Sequence, residues 1–165
     1  MTEPTPVRLV GLRETPLDVA EVVAALDDES SGGLTLFVGR VRDHDHGKGV
    51  VGLDYSAHPT ALDTLREVCE KVAAAHDVHG LAAVHRVGSL EIGDIAVVVA
   101  TTSAHRGTSF DASRLLIDTL KAEVPIWKEQ HFASGESQWV GLPSDPASGA
   151  SSLQPVQSGA GSDRP

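Results

Sequence analysis

Six consecutive apolar residues at positions 95–100 (IAVVVA) constrain the fold of this chain more than any other segment. A strand with this sequence is apolar on both faces, so other elements must cover it on both sides. We predict that this buried strand continues to about Ser103. The rest of the chain must therefore supply strands to pair with it and helices to flank it.

Strand-like and helix-like hydrophobic patterns alternate on either side of this segment. The predicted helices cover 16–26, 59–75 and 106–123, and the predicted strands cover 7–11, 33–42, 50–58, 80–87, 126–132 and 138–141. The polar segment 43–49 (DHDHGKG) predicts that the two strands beside it form a hairpin with a long tip. This mixture of hairpins and crossovers indicates an α+β fold with a mainly antiparallel sheet and flanking helices.

Two expectations concern the direction of side chains. The residues expected to point inward on the last helix are Phe110, Ile117, Leu120 and Val124. His85 lies near the end of the predicted strand 80–87. There it either faces a site or belongs to an ordinary pair at the edge of the sheet.

Composition limits the classes of partner. The chain has 165 residues, 41% of them hydrophobic, which supports one domain with a core. Thirteen Lys and Arg stand against 23 Asp and Glu, for a formal net charge of −10, so we expect no nucleic-acid partner. No apolar run reaches the ~18 residues of a membrane span, and the N-terminus lacks the pattern of a secretory signal. We therefore expect a cytoplasmic protein with no membrane partner.

The C-terminal segment has a different composition from the rest. Residues 142–165 are dominated by Ser, Gly, Pro and Ala. Such a segment cannot bury enough apolar surface to offset an ordering entropy of ~1–2 kcal/mol per residue. We predict one domain over 1–141 and a disordered tail over 142–165.

Several cations occur where a solvated surface would not place them. Ten of the thirteen Lys and Arg lie between Arg40 and Lys128. Arg40 and Arg42 end an apolar strand, and Arg106 begins a helix directly after the buried strand. Free backbone N–H groups at a helix start, with cations nearby, favour a phosphate or carboxylate. Taken singly, however, Arg40 and Arg42 are typical of strand ends, and Lys121 is typical of a cation that complements a helix dipole.

Three other patterns could carry chemistry, and each has a simpler explanation. His44 and His46 can share a strand face and hold a metal, but no third ligand follows at a suitable spacing. Ser103 and His105 offer a nucleophile and a base with no carboxylate to orient them. Cys69 lies on the apolar stripe of a predicted helix, as a small buried hydrophobe does. We therefore expect no metal site, no serine hydrolase and no sulfur carrier at Cys69.

Six short strings follow one another along the chain. They are Gly39-Arg40-Val41-Arg42-Asp43-His44, Tyr55-Ser56-Ala57-His58-Pro59, His85-Arg86-Val87-Gly88, Ser103-Ala104-His105-Arg106, Leu120-Lys121 and Pro125-Ile126-Trp127-Lys128, with Trp139-Val140 after them. Each string alone is weak evidence of a family relationship. Six strings in the same order, over a matching order of strands and helices, are specific evidence of one. In this combination the chain resembles the large, catalytic subunit of molybdopterin synthase, the MoaE family. The resemblance covers about 7–141.

The resemblance implies a fold, a reaction and partners. Members of this family have an α/β-hammerhead fold with an antiparallel sheet, which agrees with the α+β prediction. They are sulfur transferases of molybdenum-cofactor biosynthesis, and they form a homodimer with a small ubiquitin-like sulfur-carrier subunit on each outer side. The C-terminal Gly-Gly thiocarboxylate of that subunit enters a pocket of the large subunit. Two sulfurs then pass, in successive rounds, to cyclic pyranopterin monophosphate, which becomes molybdopterin, and no cofactor is expected.

The resemblance also implies site residues. Lys121 matches the central active-site lysine of the family and Lys128 matches the second lysine, so both are expected to be catalytic. The expected substrate-binding residues are Arg40, Val41, Arg42, His105, Arg106, Lys121, Lys128, Glu129 and Gln130. Arg offers a forked donor for phosphate, and Lys is a mobile proton donor or nucleophile. Lys121 is expected to act at the Gly-Gly carbonyl as general acid/base or as a transient acyl acceptor.

The other cations have supporting roles in this scheme. Lys128 and His105 are expected to stabilise developing charge and move protons, while Arg42 and Arg106 hold the phosphate. The chain departs from the family in two places. Relatives often carry Lys-x-Glu after the Trp, but here the acid comes one position earlier, in Lys128-Glu129-Gln130, so Gln130 can only form hydrogen bonds. Relatives also often have Asn in the turn that is Asp43-His44-Asp45-His46 here.

Two alternatives come from other functional classes. A non-catalytic adaptor could use the same cations to bind a ubiquitin-like tail or a small phosphorylated ligand, without proton exchange at Lys121. A metal-binding module could be built on His44 and His46. Turnover in a Lys121 variant that still binds its partner separates the first alternative from the enzyme, and metal analysis of the purified protein tests the second.

Overall fold

Two β-sheets and three helices form the computed structural model of the chain, which describes residues 5–141. The elements are β1 (Val7–Arg13), α1 (Val19–Ala25), β2 (Gly33–Arg40), β3 (His44–Asp45), β4 (Lys48–Ala57), α2 (Ala61–Ala75), β5 (Gly80–Arg86), β6 (Gly88–Leu90), β7 (Ile95–Ser103), α3 (Arg106–Glu123), β8 (Ile126–Phe132) and β9 (Ser137–Val140). The predicted tail, 142–165, lies outside the described residues. Within the described part of the chain, no helix is long and apolar enough to cross a membrane.

The first sheet is built around the predicted central strand. Its order is β1-β5-β7-β2, with β7 antiparallel to both of its neighbours and β1 parallel to β5. Every residue of β7 after Ile95 is buried. Helices α2 and α3 cover one face of the sheet, and α1 covers the other. The prediction of a buried strand over Ile95–Ser103 is confirmed.

The larger core lies between the first sheet and the two long helices. Leu65, Val68 and Cys69 of α2 are fully buried against it, as is Leu116 of α3. Burial raises the pKa of the Cys69 thiol to about 12, so the thiol stays protonated. Cys69 is therefore the small buried hydrophobe that the sequence indicated.

The second sheet has the order β3-β4-β8-β9, and the short strand β6 also pairs with β4. The hairpin predicted across segment 43–49 is wrong, because β2 pairs with β7 in the first sheet and β4 pairs with β8. The backbone N–H of Val41 donates to the Asp94 carbonyl and the N–H of Gly93 donates to the Val41 carbonyl. These bonds fix the chain to the loop before β7 where it leaves the first sheet.

The inward face of α3 differs from the prediction. Phe110 is 58% exposed, whereas Ser109 beside it is fully buried. The Ser109 hydroxyl donates to the Thr101 carbonyl of β7 at 3.0 Å, and the Thr101 hydroxyl donates to the Ser109 carbonyl at 2.8 Å. A small polar side chain allows this close contact between helix and strand, and it turns Phe110 outward. Leu120 and Val124, further along, are buried as predicted.

Candidate active site

A cavity of about 250 Å³ opens where the C-terminal end of α3 meets the second sheet. Its walls consist of Tyr55, His85, Leu120, Lys121, Val124, Ile126, Lys128, Val140 and Gly141. Lys121 is the cation in the last turn of α3, and Lys128 comes from β8. Pro125 follows the end of α3 and the chain turns into β8 there, which brings the two lysines to one cavity.

A second, smaller cavity of about 50 Å³ lies beside the first. It is lined by Arg40, Val41, Arg42, His44, Val50, Leu53, Tyr55, Lys128 and Gln130. Tyr55 and Lys128 therefore belong to both cavities. The structure brings together six of the nine expected substrate-binding residues: Arg40, Val41, Arg42, Lys121, Lys128 and Gln130.

Several groups around Lys128 shift its pKa in opposite directions. Its side chain is half-buried, and burial lowers its pKa most, because a charged ammonium loses water there. Asp45 raises the pKa of Lys128, while Lys121 and Arg42 lower it. The net direction is downward. The site thus concentrates positive charge, and a bound anion would offset the repulsion among these cations.

Asp45 of β3 and Gln130 of β8 are in direct contact. Gln130 is buried, and its side-chain amide donates to an oxygen of Asp45 at 2.9 Å. The other Asp45 oxygen lies 3.5 Å from a guanidinium nitrogen of Arg42. The hydrogen bond from Gln130 is the largest cause of the lowered pKa of Asp45. The carboxylate therefore lies between Arg42 and Gln130, beside the half-buried Lys128.

Glu129 and the histidine after it lie on the opposite face of β8. Neighbouring residues of a strand point to opposite faces, so Lys128 and Gln130 face the cavities and Glu129 does not. On the Glu129 side, the His131 ring donates to Asp54 at 2.6 Å, and Asp54 also accepts from Ser89. Glu129 is thus placed away from both cavities within one chain.

His105 and Arg106 lie at the far end of α3 from Lys121. Helix α3 has 18 residues, which correspond to about 27 Å at 1.5 Å per residue. Both side chains are exposed. The Arg106 backbone packs beside Gly33, where a Cβ would lie 3.1 Å from the Arg106 Cα. Within one chain, His105 and Arg106 therefore cannot line the cavity that holds the two lysines.

Two wall residues, Tyr55 and His85, complete the first cavity. Their rings meet edge to face, with centroids 4.8 Å apart and an interplanar angle of 84°. The sequence left His85 undecided between the site and an edge pair, and the structure places it in the cavity wall. A signal for it was present: Leu81 and Ala83 form an apolar row on β5, and a histidine follows two residues later on the same face.

No group of three or more His, Cys, Asp or Glu that could hold a metal occurs among residues 5–141. In the Asp43–His46 turn, each histidine instead pairs with an acidic neighbour. The His44 ring lies 2.7 Å from Asp43 and the His46 ring 3.7 Å from Asp45. The alternative of a metal-binding module therefore gains no support from this turn.

Two adjoining cavities lined by lysine and arginine in a mixed α/β fold are the kind of site that suits an anionic ligand. The family model described as MoaE protein matches residues 12–123. The chain belongs to the MoaE family, whose curated members are molybdopterin synthase catalytic subunits of molybdenum-cofactor biosynthesis. This confirms the predicted family and the prediction of an enzyme.

Individual relatives agree in sequence and in fold. The molybdopterin synthase catalytic subunit 1 of Mycobacterium tuberculosis is 43% identical over 131 residues, which cover 79% of this chain and 88% of the relative. The crystal structure of molybdopterin synthase from Staphylococcus aureus superposes with a TM-score of 0.74 at 29% identity, and covers 81% of this chain and 97% of that one. A complex of subunits 1 and 2 of molybdopterin-converting factor from Helicobacter pylori shares the fold at 22% identity and a TM-score of 0.63, over 90% and 99% of the chains. The predicted α+β, hammerhead-like fold is confirmed.

Proposed function

We propose that this chain transfers sulfur to cyclic pyranopterin monophosphate from the C-terminal Gly-Gly thiocarboxylate of a small ubiquitin-like subunit, and so produces molybdopterin. The observation that carries the proposal is the joint placement of Lys121 and Lys128 in one cavity that adjoins the Arg40 and Arg42 pocket. The donor is an anionic thiocarboxylate and the acceptor carries a phosphate. Because both the donor and the acceptor are anionic and must come together, two adjoining cavities lined by cations suit them.

In each round, the thiocarboxylate sulfur forms a bond to a carbon of the pterin substrate as an oxygen substituent leaves that carbon, and the bond between the sulfur and the Gly carbonyl carbon is then broken. Water supplies the oxygen that returns the partner's C-terminus to a carboxylate, so the round is a substitution with no net oxidation. Lys121 acts at that carbonyl, either as general acid/base or as a transient acyl acceptor that water later releases. Lys128 stabilises the negative charge that develops on the carbonyl oxygen. Arg42 holds the phosphate through its forked donors.

The donor must reach the first cavity in an extended form. The cavity wall includes Val140 and Gly141, at the end of the edge strand β9. A Gly-Gly terminus has no side chains and can follow such a wall closely. The family relationship to a protein solved as a complex of two subunits supports a separate small subunit as the donor.

We further propose a homodimer in which His105 and Arg106 of one copy serve the cavity of the other. Strand β2 is an edge of the first sheet, and it exposes Leu34, Leu36 and Phe37. An exposed apolar edge strand is a surface on which a second chain can pair. Arg106 lies beside the start of this strand, so a second copy docked along β2 would come close to it.

The proposal is tested by sulfur transfer itself. Purified chain is mixed with a thiocarboxylated Gly-Gly partner and cyclic pyranopterin monophosphate, and mass spectrometry follows the product that has gained two sulfurs. We expect Lys121→Ala to lower the rate at least 1,000-fold, on the order of the loss for a directly acting group. Because Lys121 is exposed at the end of α3, the melting temperature should stay within about 2 °C.

A matched control is Lys71→Ala. Lys71 is also an exposed helical lysine, but it pairs with Glu123 at 2.5 Å and lines neither cavity. We expect its removal to leave the rate within twofold. A Lys121→Ala variant that transfers sulfur normally would disprove the proposed role of Lys121. A wild-type chain that binds the partner and gives no product would favour the adaptor instead.

A further inference from the structure

Two polar side chains of the first cavity, those of Tyr55 and His85, have no part in the proposed mechanism, and the more deeply buried of the two is His85. It ends the row of β5 residues that face α2 and α3, after Leu81 and Ala83, which are fully buried. His85 itself is 7% exposed. Packing alone does not explain a buried imidazole at the end of an apolar row. An aliphatic side chain would fill the same space and would bury no polar atom that requires a hydrogen bond.

Backbone geometry fixes which ring nitrogen of His85 carries the proton. Nδ1 lies 2.6 Å from the carbonyl oxygen of Arg86, and a carbonyl can only accept, so Nδ1 is the N–H donor. In the neutral ring, Nε2 then has the free lone pair. The perpendicular contact with Tyr55 restricts rotation of the ring plane. Within residues 5–141, Nε2 has no hydrogen-bond partner, and it is not among the buried side-chain atoms without one, so it is open to the cavity.

The imidazole stays neutral at ordinary pH. The pKa of His85 is lowered to about 4: burial is the main cause and the nearby Lys121 ammonium acts in the same direction, while the bond to the Arg86 carbonyl acts in the opposite one. A group with this pKa is poorly matched to proton exchange near pH 7. It is well suited to accept a hydrogen bond without carrying charge.

The cavity offers few other acceptors. Four of its nine lining residues have polar side chains, and the two lysines among them only donate when charged. Acceptors on lining side chains are therefore the Tyr55 hydroxyl and Nε2 of His85. Lys121 is exposed at the helix end, and its long flexible side chain needs a partner to hold it toward the cavity.

We propose that His85 is a positioning residue for Lys121: Nε2 accepts a hydrogen bond from the Lys121 side-chain nitrogen and directs that nitrogen into the cavity toward the donor carbonyl. This inference rests on the proposed sulfur transfer and adds a residue to it. His85 makes no bond to either substrate. Its contribution is the orientation of the nitrogen that does.

Two amide variants separate the two ring nitrogens. His85→Gln places a carbonyl oxygen near the position of Nε2, whereas His85→Asn keeps an N–H near Nδ1 and has no acceptor at Nε2. We expect His85→Asn to lower kcat about tenfold or more, with KM for the donor subunit unchanged within twofold. We expect His85→Gln to recover kcat to within about threefold of wild type. Equal losses in two folded variants, or a full kcat in His85→Asn, would overturn the proposal.

A spectroscopic measurement is independent of turnover. In protein labelled with ¹⁵N at histidine, Nε2 of His85 should show the shift of an unprotonated nitrogen that accepts a hydrogen bond. The shift should move toward the free value in Lys121→Ala and stay unchanged in Lys128→Ala. A shift that responds to Lys128→Ala, or to neither variant, overturns the assignment. Because this result needs no product, it also tells a failure of the His85 role from a failure of the sulfur-transfer proposal.

Discussion

The two sheets of this protein are held together by different forces. The central strand of the first sheet has eight buried residues: five are aliphatic, and the other three have hydroxyls that donate to backbone carbonyls. The second sheet buries Leu53 and Leu90 but also Gln130, and it exposes Trp139 and Val140 at its edge. Stability therefore comes mainly from the first sheet, and the second sheet supplies groups to the cavities. Variants in the two regions should separate stability from activity.

The largest effect on stability is expected in the core of the first sheet. Leu65 of α2 is fully buried between helix and sheet. Leu65→Ala should reduce the free energy of unfolding by about 2–5 kcal/mol, since it removes apolar contact and leaves a cavity. The rate of sulfur transfer per folded molecule should stay within twofold. Urea denaturation gives the first quantity and the transfer assay the second, and an unfolding loss below about 1 kcal/mol would contradict the comparison.

The next largest effect is a pH dependence at the junction of the sheets. The pKa of the His85 imidazole is lowered from the usual 6.5 to about 4 in the folded chain, mainly by burial. Below pH 6.5 the unfolded chain binds a proton that the folded chain resists until about pH 4, so stability falls as pH decreases through this window. The full shift corresponds to roughly 3 kcal/mol. The urea midpoint of the wild type should fall as pH decreases from 7 to 4.5, and the midpoint of His85→Phe should fall less steeply. An equal pH dependence in the two proteins would refute the lowered pKa of His85.

A smaller effect is expected at the polar contact of the second sheet. Gln130→Ala removes the hydrogen bond that fixes the Asp45 carboxylate. The longer contact with Arg42 then has to keep the carboxylate in place beside that guanidinium. We expect a stability loss of about 1–2 kcal/mol and a weaker affinity for phosphate-bearing substrate. Gln138→Ala is the control, because Gln138 of β9 is the strand partner of Gln130 and its side chain is exposed. Isothermal titration and thermal melts measure both effects. An unchanged affinity would remove Gln130 from the substrate-binding set.

The smallest effect is expected for the C-terminal segment. Deletion of residues 142–165 should leave kcat within twofold and the melting temperature within about 2 °C, as the composition of the segment predicts. The deletion begins directly after Gly141, which lines the first cavity, so KM for the donor subunit must be measured alongside. A large change in KM would assign the segment a part in donor binding.

Sequence reasoning succeeded where the structure is decided locally. The strand Ile95–Ser103 and the helix Arg106–Glu123 follow from apolar runs and periodicity, and both have the predicted bounds. It failed where distant segments meet. Strand β4 pairs with β8, about seventy to eighty residues later in the chain, and no local sequence pattern predicts this pairing.

The candidate site shows the same division. The cations were identified from their positions at strand and helix ends, and Lys121 and Lys128 do share a cavity. The contact of Gln130 with Asp45 could be seen only in the structure, and for His85 the apolar row on β5 indicated the direction of the side chain but not the cavity that it lines. The length of α3, by contrast, was readable from the sequence, and it already implies that Arg106 and Lys121 lie far apart in one chain.

Lys128 and Tyr55 each form part of the wall of both cavities. An N–H of Lys128 that binds a ligand in one cavity is not available to the other cavity, so a ligand on one side changes the donors that the other side presents. Such linkage is reciprocal: the factor by which the first ligand alters the affinity for the second equals the factor in the opposite order. If sulfur transfer proceeds as proposed, we expect the affinities for donor and acceptor to be coupled through this one shared side chain, with no rearrangement of the backbone.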